Sequence, residues 1–227
     1  MLLNVFAAYL FIVKFAGPRL MQNRKPFSLN NFTRVYNLYQ VICCVYIVSL
    51  VPSFIGSYNP YECHFKTRDV TDVFKLKVIY SVFLLRASEF IETVVFVLRK
   101  KQNQVSWLHV YHHLGVVSLA WIFIKYNPSK QEQIIIAINS AVHVVMYLYY
   151  FLSSFDSMKV ITNKTKQLIT AMQITQLVLI MTHIIHALAA CNATKLYWLQ
   201  LGNIVILIGM FLQFYLSSYR SDKVKTR

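Results

Sequence analysis

The sequence is poor in residues that break helices. Its 227 residues include only five glycines and five prolines, and no Gly/Pro pair interrupts the middle of an apolar run. Transporters often bind their cargo at helices broken in this way. The scarcity therefore weakens, without excluding, an interpretation of the chain as a non-catalytic seven-helix transporter.

Long apolar runs dominate the chain instead. Hydrophobic residues make up 57% of it, above the roughly 45–50% of soluble domains, and the mean hydropathy is +0.48. Runs of about 20 residues are long enough to cross a bilayer as helices. We predict an all-α polytopic membrane protein with a single transmembrane domain over residues 1–227. The seven predicted transmembrane helices cover residues 1–16, 34–56, 76–97, 107–124, 132–152, 168–190 and 197–218.

Acidic residues are scarce too, since eight Asp and Glu accompany 23 Lys and Arg and leave a net charge of +15. With the N-terminus in the lumen and the C-terminus in the cytosol, 15 basic residues lie on the cytosolic side and 7 on the luminal side. This asymmetry follows the positive-inside rule and explains the charge without a nucleic-acid partner. The cytosolic surplus also suits an anionic substrate such as a coenzyme A ester.

The most informative polar residues are His109, His112 and His113, which begin the fourth run. On a helix they fall at i, i+3 and i+4 and share one face. Polar side chains are costly in hydrocarbon, so this box indicates a functional site. Polar stripes at helical spacing on the neighbouring runs predict a chamber open to the cytosol, with room for an apolar tail between helices. The stripes are Arg86, Glu89, Glu92 and Thr93; Asn139, His143, Tyr147 and Tyr150; and Gln173, Gln176, His183 and His186.

A metal is one explanation of the box. Three imidazoles are good ligands for zinc or iron, and membrane di-iron desaturases and hydroxylases carry similar boxes. Those enzymes need about eight histidines in several boxes, whereas this chain has seven histidines and one box. A single zinc site completed by His143 remains open. A metal-dependent membrane lipid oxidase or hydroxylase is therefore an alternative function.

A nucleophilic imidazole is the other chemical explanation. Neutral imidazole attacks thioesters near neutral pH. The chain has four cysteines, none near the polar stripes, so no thiol is available for that role. Histidine is then the candidate nucleophile by elimination.

The cysteines fall into two pairs. Cys43 and Cys44 lie in the second run and are expected to be small packing residues. Cys63 and Cys191 fall in loops on the luminal side, which is oxidising. We predict a Cys63–Cys191 disulfide between the loop after the second span and the loop after the sixth.

Four segments, in order along the chain, resemble the signatures of the ELO fatty acid elongases. They are Arg86–Lys101, Leu108–His113, Asn139–Tyr150 and Thr170–Gln176, and residues 17–27 are similar to the first cytosolic loop of that family. Together the segments span nearly the whole chain. We interpret it as an insect-like member of the family.

The resemblance implies a seven-helix enzyme of the endoplasmic reticulum, a very-long-chain 3-oxoacyl-CoA synthase. Such an enzyme condenses a long-chain acyl-CoA with malonyl-CoA, releasing carbon dioxide and coenzyme A. His112 would take the acyl chain as an acyl-imidazole, His143 would assist the malonyl step, and His109 and His113 would complete the site. The implied substrate-binding residues are Asn139, Tyr147, Gln173, Gln176, Glu89, Glu92, Lys100 and Lys101. No metal and no other cofactor is implied.

The chain departs from the family pattern in several places. Arg86 and Glu92 stand where the family usually has Lys and Asp, and the luminal glycine-rich turn before the fifth helix is absent. Arg86 keeps the charge but not the geometry, because a guanidinium is a planar fork.

The C-terminal tail also resembles a known localisation signal. Lys223 and Lys225, five and three residues from the C-terminus, resemble a dilysine retrieval signal of the endoplasmic reticulum. Membrane lipid, other enzymes of the elongation cycle and a second copy of the chain are the further candidate partners.

Overall fold

A computed structural model describes residues 2–55, 73–126, 130–191, 193 and 195–225. These residues form helices and short helical turns with no strand among them, in agreement with the all-α prediction. The helices are α1 (Leu2–Phe11), α2 (Gly17–Met21), α3 (Asn30–Ile55), α4 (Val73–Ser88), α5 (Phe90–Leu98), α6 (Trp107–Tyr126), α7 (Lys130–Ser153), α8 (Lys159–Ala190) and α9 (Leu196–Lys225).

Five helical segments of the described residues are long and apolar enough to cross a membrane. They are Leu2–Met21, Trp107–Tyr126, Glu132–Ser153, Asp156–Ala190 and Leu196–Tyr219. Large apolar side chains such as Leu3, Trp107 and Leu168 are exposed on them, a surface suited to lipid rather than water. The chain is therefore a multi-pass membrane protein. Helix α3 and the α4–α5 pair coincide with the other two predicted spans, and both border residues 56–72, which lie outside the described residues.

Helices α1 and α2 are joined by a π-helical turn, Ile12–Ala16, into one continuous rod. Pro18 explains the wide turn, because its ring has no N–H and would clash with the carbonyl four residues before it in a regular α-helix. Gly17 lies where this rod meets α5: a Cβ built there would come within 2.7 Å of Val97 Cγ1. A small residue at this position allows the two helices to approach closely.

Helices α4 and α5 replace the single span predicted over residues 76–97, since the helix breaks at Glu89. Ser88 Oγ donates to the carbonyl of Leu85 at 2.6 Å, a back-bond that bends helices. The amides of Glu89 and Glu92 then bond to carbonyls only three residues earlier. The break lies beside the polar residues that the sequence singles out.

The chain leaves α5 through a tight turn and enters α6 with a cap. Lys100 has a positive φ of 56°, and the amide of Lys101 bonds to the carbonyl of Phe96 at 2.8 Å, as in a Schellman ending. Ser106 Oγ then accepts a hydrogen bond from the amide of His109 at 3.1 Å, which caps α6 at its N-terminus. The histidine box thus begins in the first turn of α6.

Helices α3 and α7 pack side by side, and α8 pairs with α9. At one end of the α3–α7 pair, Arg34 donates to the carbonyl of Ser154 at 2.9 Å, and its guanidinium lies 4.3 Å from the ring centre of Phe155. Helix α8 has 32 residues, or about 48 Å at 1.5 Å per residue, and it begins nine residues before the predicted run 168–190. Its basic first turns precede the apolar run from which the span was predicted.

Candidate active site

The carboxylate of Glu89 joins side chains from three helices. It is 1% exposed and forms a buried ion pair with Arg86 on α4. Its Oε2 lies 3.5 Å from Nδ1 of His113 on α6, and its Oε1 lies 3.7 Å from Nε2 of His143 on α7. The predicted third-run stripe therefore meets two of the predicted histidines.

Arg86 connects this cluster to α3 and α7. Its Nη2 donates to Ser140 Oγ at 3.3 Å and lies 3.9 Å from the sulfur of Cys44. Cys44 is fully buried and, like Cys43, is a free thiol. The prediction that no cysteine lies near the polar stripes is therefore wrong, because α3 packs Cys44 against Arg86. A buried guanidinium with three partners fixes the arrangement of the surrounding helices.

His109 belongs to a second set of contacts, on the side of the rod formed by α1 and α2. Thr93 Oγ1 lies 2.9 Å from Nε2 of His109 and 2.9 Å from the hydroxyl of Tyr9. Tyr9 and Thr93 are both buried. The chain of contacts orients the His109 ring and links it to the first helix.

His143 is held by its own helix. Its Nδ1 donates to the carbonyl of Asn139 at 2.8 Å, and because a carbonyl only accepts, this nitrogen carries the proton. In the neutral ring Nε2 then keeps its lone pair. His143 thus presents an unprotonated nitrogen toward Glu89.

His112 faces a different environment from its two neighbours in the box. Its ring centre lies 5.4 Å from that of His113 and 6.3 Å from that of Phe211. Among the histidines of the described residues, His112 is the one that lines a long cavity between α4, α6, α7, α8 and α9.

The cavity encloses about 950 Å³ not filled by protein atoms, counting its opening. Arg86, Asn139 and Gln176 lie on its wall with His112, and most of the remaining wall is aliphatic or aromatic. This is the arrangement of a ligand site, apolar with a few convergent polar groups. The lining suits an apolar ligand that carries a polar group beside His112.

The other predicted binding residues do not line this cavity. Gln173 Nε2 donates to the sulfur of Met146 at 3.2 Å, and Tyr147 is fully buried with its ring centre 5.9 Å from that of His143. Lys100 and Lys101 lie in the exposed turn after α5, where Lys100 Nζ donates to the carbonyl of Gln22 at 3.1 Å. The two lysines are thus surface groups.

Glu92 lies beside the box. Its carboxylate and the rings of His109 and His113 offer ligand atoms within 4.8 Å of one another. This set differs from the zinc site suggested by the sequence, in which His143 completed the three imidazoles of the box, since neither His112 nor His143 is part of it. Glu92 takes the place that a third imidazole would have in a zinc site.

Sequence patterns missed four side chains around the site. Tyr9 contacts Thr93, which in turn contacts His109, and Ser140 contacts Arg86. Glu132 and Gln200 line the cavity at the end away from His112. A tyrosine in an apolar run gives no signal of a polar role. Glu132 did give one, because it is an acidic residue at the start of a predicted span.

Cys191 is disulfide-bonded in the structure. Cys63, its predicted partner, lies outside the described residues, so the Cys63–Cys191 pairing stays a prediction.

The chain is similar to a known protein family and to characterised members of it. Residues 1–227 match the family described as ELO, GNS1/SUR4. The chain is 35% identical over 236 residues to very long chain fatty acid elongase 1 of Homo sapiens, covering 97% of this chain and 81% of the relative. It is 33% identical over 213 residues to very long chain fatty acid elongase 2 of Mus musculus, covering 92% and 73%.

An insect relative is similar to the same degree. The chain is 32% identical over 229 residues to a very long chain fatty acid elongase of Aedes aegypti, covering 95% of this chain. It spans 62% of the length of that relative. With a full-length family match and relatives of this similarity, the chain belongs to the ELO family.

Proposed function

We propose that this chain is a very-long-chain 3-oxoacyl-CoA synthase. It condenses a long-chain acyl-CoA with malonyl-CoA to give a 3-oxoacyl-CoA, carbon dioxide and coenzyme A, the first step of fatty acid elongation. One observation carries the proposal: His112 lies on the wall of a long, mostly apolar cavity beside other polar groups. Family membership and the names of the relatives support it.

The first step transfers the acyl chain to His112. A ring nitrogen of the neutral imidazole bonds to the thioester carbonyl carbon, and the carbon–sulfur bond breaks. The thiolate of coenzyme A takes the proton that the ring loses. Asn139 and Gln176, on the same wall, hold the carbonyl oxygen as charge develops on it.

The second step releases the chain. Malonyl-CoA loses carbon dioxide, and the resulting carbanion attacks the acyl carbon. The carbon–nitrogen bond breaks, and the imidazole recovers a proton from the medium. The carbonyl of Asn139 fixes the proton of the His143 ring on Nδ1. His143 therefore assists the malonyl step through Nε2.

The remaining predicted residues support these two steps. Glu89 lies between His113 and His143, the carbonyl of Asn139 orients His143, and Thr93 orients His109. Glu92, Tyr147 and Gln173 form the surrounding shell. Lys100 and Lys101, exposed beyond α5, attract the phosphates of coenzyme A.

The proposed enzyme crosses the membrane of the endoplasmic reticulum seven times, around a chamber that faces the cytosol. Its N-terminus is luminal, and its C-terminus is cytosolic with the dilysine-like Lys223 and Lys225. No metal or other cofactor takes part. Other enzymes of the elongation cycle and a second copy of the chain are the proposed protein partners.

The intact mass of the purified protein tests the first step. Incubated with acyl-CoA alone, the protein should gain one acyl group, and His112→Ala should gain none. His186→Ala is the matched control, because His186 lies outside the cavity wall, and it should keep the adduct. Incorporation of labelled malonyl-CoA, measured over a series of acyl chain lengths, tests the second step. No incorporation at any length would refute the synthase.

A metal-dependent lipid oxidase or hydroxylase is the second candidate, favoured by the trio of Glu92, His109 and His113. It predicts stoichiometric zinc or iron in the purified protein and no acyl adduct. Elemental analysis of the same sample used for the intact mass separates the two functions.

A further inference from the structure

The cavity has a second polar end, far from His112. Phe123, near the end of α6, and Glu132, near the start of α7, both line the cavity. Eleven residues separate His112 from Phe123 along α6, or about 17 Å at 1.5 Å per residue. Between the two ends the wall is mostly apolar, with side chains such as Val116 and Leu119, and Asn203 is the polar exception among its described residues.

Glu132 and Gln200 form this distal end. They are 8% and 5% exposed, and both line the cavity. Gln200 Nε2 donates to Glu132 Oε2 at 3.3 Å, which holds the amide in place. Within the described residues, the other end of that amide, Gln200 Oε1, is buried and accepts no hydrogen bond.

An alkyl chain would fit this end poorly. A buried polar atom left without a partner costs about 1–3 kcal/mol, and a terminal methyl group against Gln200 would leave the amide unpaired. A hydroxyl both donates and accepts, so it completes the amide in either orientation of its oxygen and nitrogen. The polar distal end therefore matches a chain that carries its own hydrogen-bonding group.

We propose that the Glu132–Gln200 pair is a binding site for a hydroxyl group at the methyl end of the acyl chain. Fatty acyl thioesters with a terminal hydroxyl are then the preferred substrates at the chain length that spans the cavity. The inference rests on the proposed function, since it assigns the far end of the chain whose thioester reacts at His112.

Competition between two substrates tests the preference. Full-length protein in lipid nanodiscs is given labelled malonyl-CoA with saturated acyl-CoA and ω-hydroxyacyl-CoA of equal length, stepped two carbons at a time. At the length that reaches the distal end, the hydroxylated chain should be elongated with a kcat/KM about tenfold higher, the value of one recovered hydrogen bond. Equal kcat/KM values at every length would overturn the inference.

Variants test whether the pair is the cause. The double change Glu132→Leu with Gln200→Leu is made in a Tyr197→Phe background, because Tyr197 also hydrogen-bonds to Glu132 and its buried hydroxyl would otherwise lose its partner. It should abolish or reverse the preference. Glu132→Gln keeps the polar end and should retain the preference. Gln133→Leu makes the same kind of change one residue along, at a buried position outside the cavity wall, and should also retain it.

A binding measurement keeps the inference separate from the proposed reaction. In His112→Ala protein, thermal stabilisation by the two acyl-CoAs reports binding without turnover. Greater stabilisation by the hydroxylated chain, lost in the double leucine variant, supports the distal site even if malonyl-CoA is never incorporated. If malonyl-CoA is incorporated but neither assay distinguishes the hydroxylated from the saturated chain, the synthase is supported and the distal site is refuted. A water molecule bound to the Gln200 amide would give this result.

Discussion

Glu89 is the residue on which the geometry of the site depends most. Its single carboxylate is close to a guanidinium on α4 and to imidazoles on α6 and α7. Burying a charge is expensive unless it is paired, so these side chains hold one another in place. Arg86 and Glu89 are therefore better understood as one unit than as two residues.

Breaking that unit should cost more than removing it. We expect Glu89→Leu to lower the free energy of unfolding by about 3–5 kcal/mol, because Arg86 is left buried and unpaired. The double variant Arg86→Met with Glu89→Leu should recover most of that stability and remain inactive, since the cavity wall loses Arg86 and the polar cluster beside His113 and His143 is removed. Thermal unfolding in detergent, with malonyl incorporation measured alongside, checks both. A double variant as unstable as the single one would contradict this view.

Thr93 offers a milder test at the same scale. Thr93→Val keeps the shape but removes the oxygen that lies between His109 and Tyr9. We expect turnover to fall roughly tenfold, the effect of one lost hydrogen bond on an orienting group. Tyr9→Phe leaves the Thr93–His109 contact intact and should have the smaller effect on turnover. Similar losses from both variants would mean that the Thr93–His109 contact alone does not orient the ring.

The spacing of single residues explains which of the predicted site residues reach the cavity wall. Asn139 and Gln176 were predicted to line a binding site, and both lie on the cavity wall. Gln173 was predicted from the same stripe, yet its amide turns to Met146 on α7. Three residues correspond to about 300° on a helix, so two glutamines of one stripe still differ by about 60° in direction. Sequence gives the stripe, but only packing decides which of its members reaches the cavity.

At the scale of elements, helices α1 and α2 form one rod, and Gly17 allows this rod to pack closely against α5. A Cβ there would lie 2.6 Å from the carbonyl oxygen of Ile12 and 2.7 Å from Val97 Cγ1. Because Ile12 contributes backbone, the contact cannot be relieved by a side-chain rotation. We expect Gly17→Ala to destabilise the protein by about 1–3 kcal/mol, measured by thermal unfolding.

Helix α9 provides the matched control. At Gly202, no neighbouring atom lies within 4 Å of the position that a Cβ would occupy. Gly202→Ala should therefore stabilise the protein by about 0.5–1 kcal/mol through helix propensity alone. Equal effects from the two substitutions would show that the close approach at Gly17 is not limiting.

Element boundaries were less predictable than element existence. Every predicted apolar run falls on a helix, because hydrophobic length is a strong signal. The break at Glu89 gave no such signal, since neither glycine nor proline accompanies it and a serine back-bond causes the bend. The basic start of α8 was missed for the opposite reason: it is helical without being apolar.

At the scale of the whole molecule, a covalent link is predicted between the loops that follow the second and the sixth predicted spans. Cys63 and Cys191 enclose a loop of more than 100 residues, and closing it should stabilise the fold by about 4–5 kcal/mol if strain is absent. Cys191→Ser should lower the melting temperature and leave two fewer oxidised cysteines. Thiol counting by alkylation under non-reducing conditions measures the oxidised cysteines.

The buried Cys44 supplies the control for that experiment. Cys44 is a free thiol, so Cys44→Ser should leave the number of oxidised cysteines unchanged. If alkylation modifies Cys63 and Cys191 in the native chain without reductant, the pairing is wrong.

The break at Glu89 also determines where insertions and deletions can occur in the sequence. It fixes the rotational phase between α4, which carries Arg86, and α5, which carries Thr93. One inserted residue at the break would turn α5 by about 100° relative to α4 and carry Thr93 away from His109. An insertion in the exposed turn after Lys101 would leave that phase untouched. Natural selection should therefore tolerate insertions and deletions after α5 and eliminate those between Arg86 and Thr93.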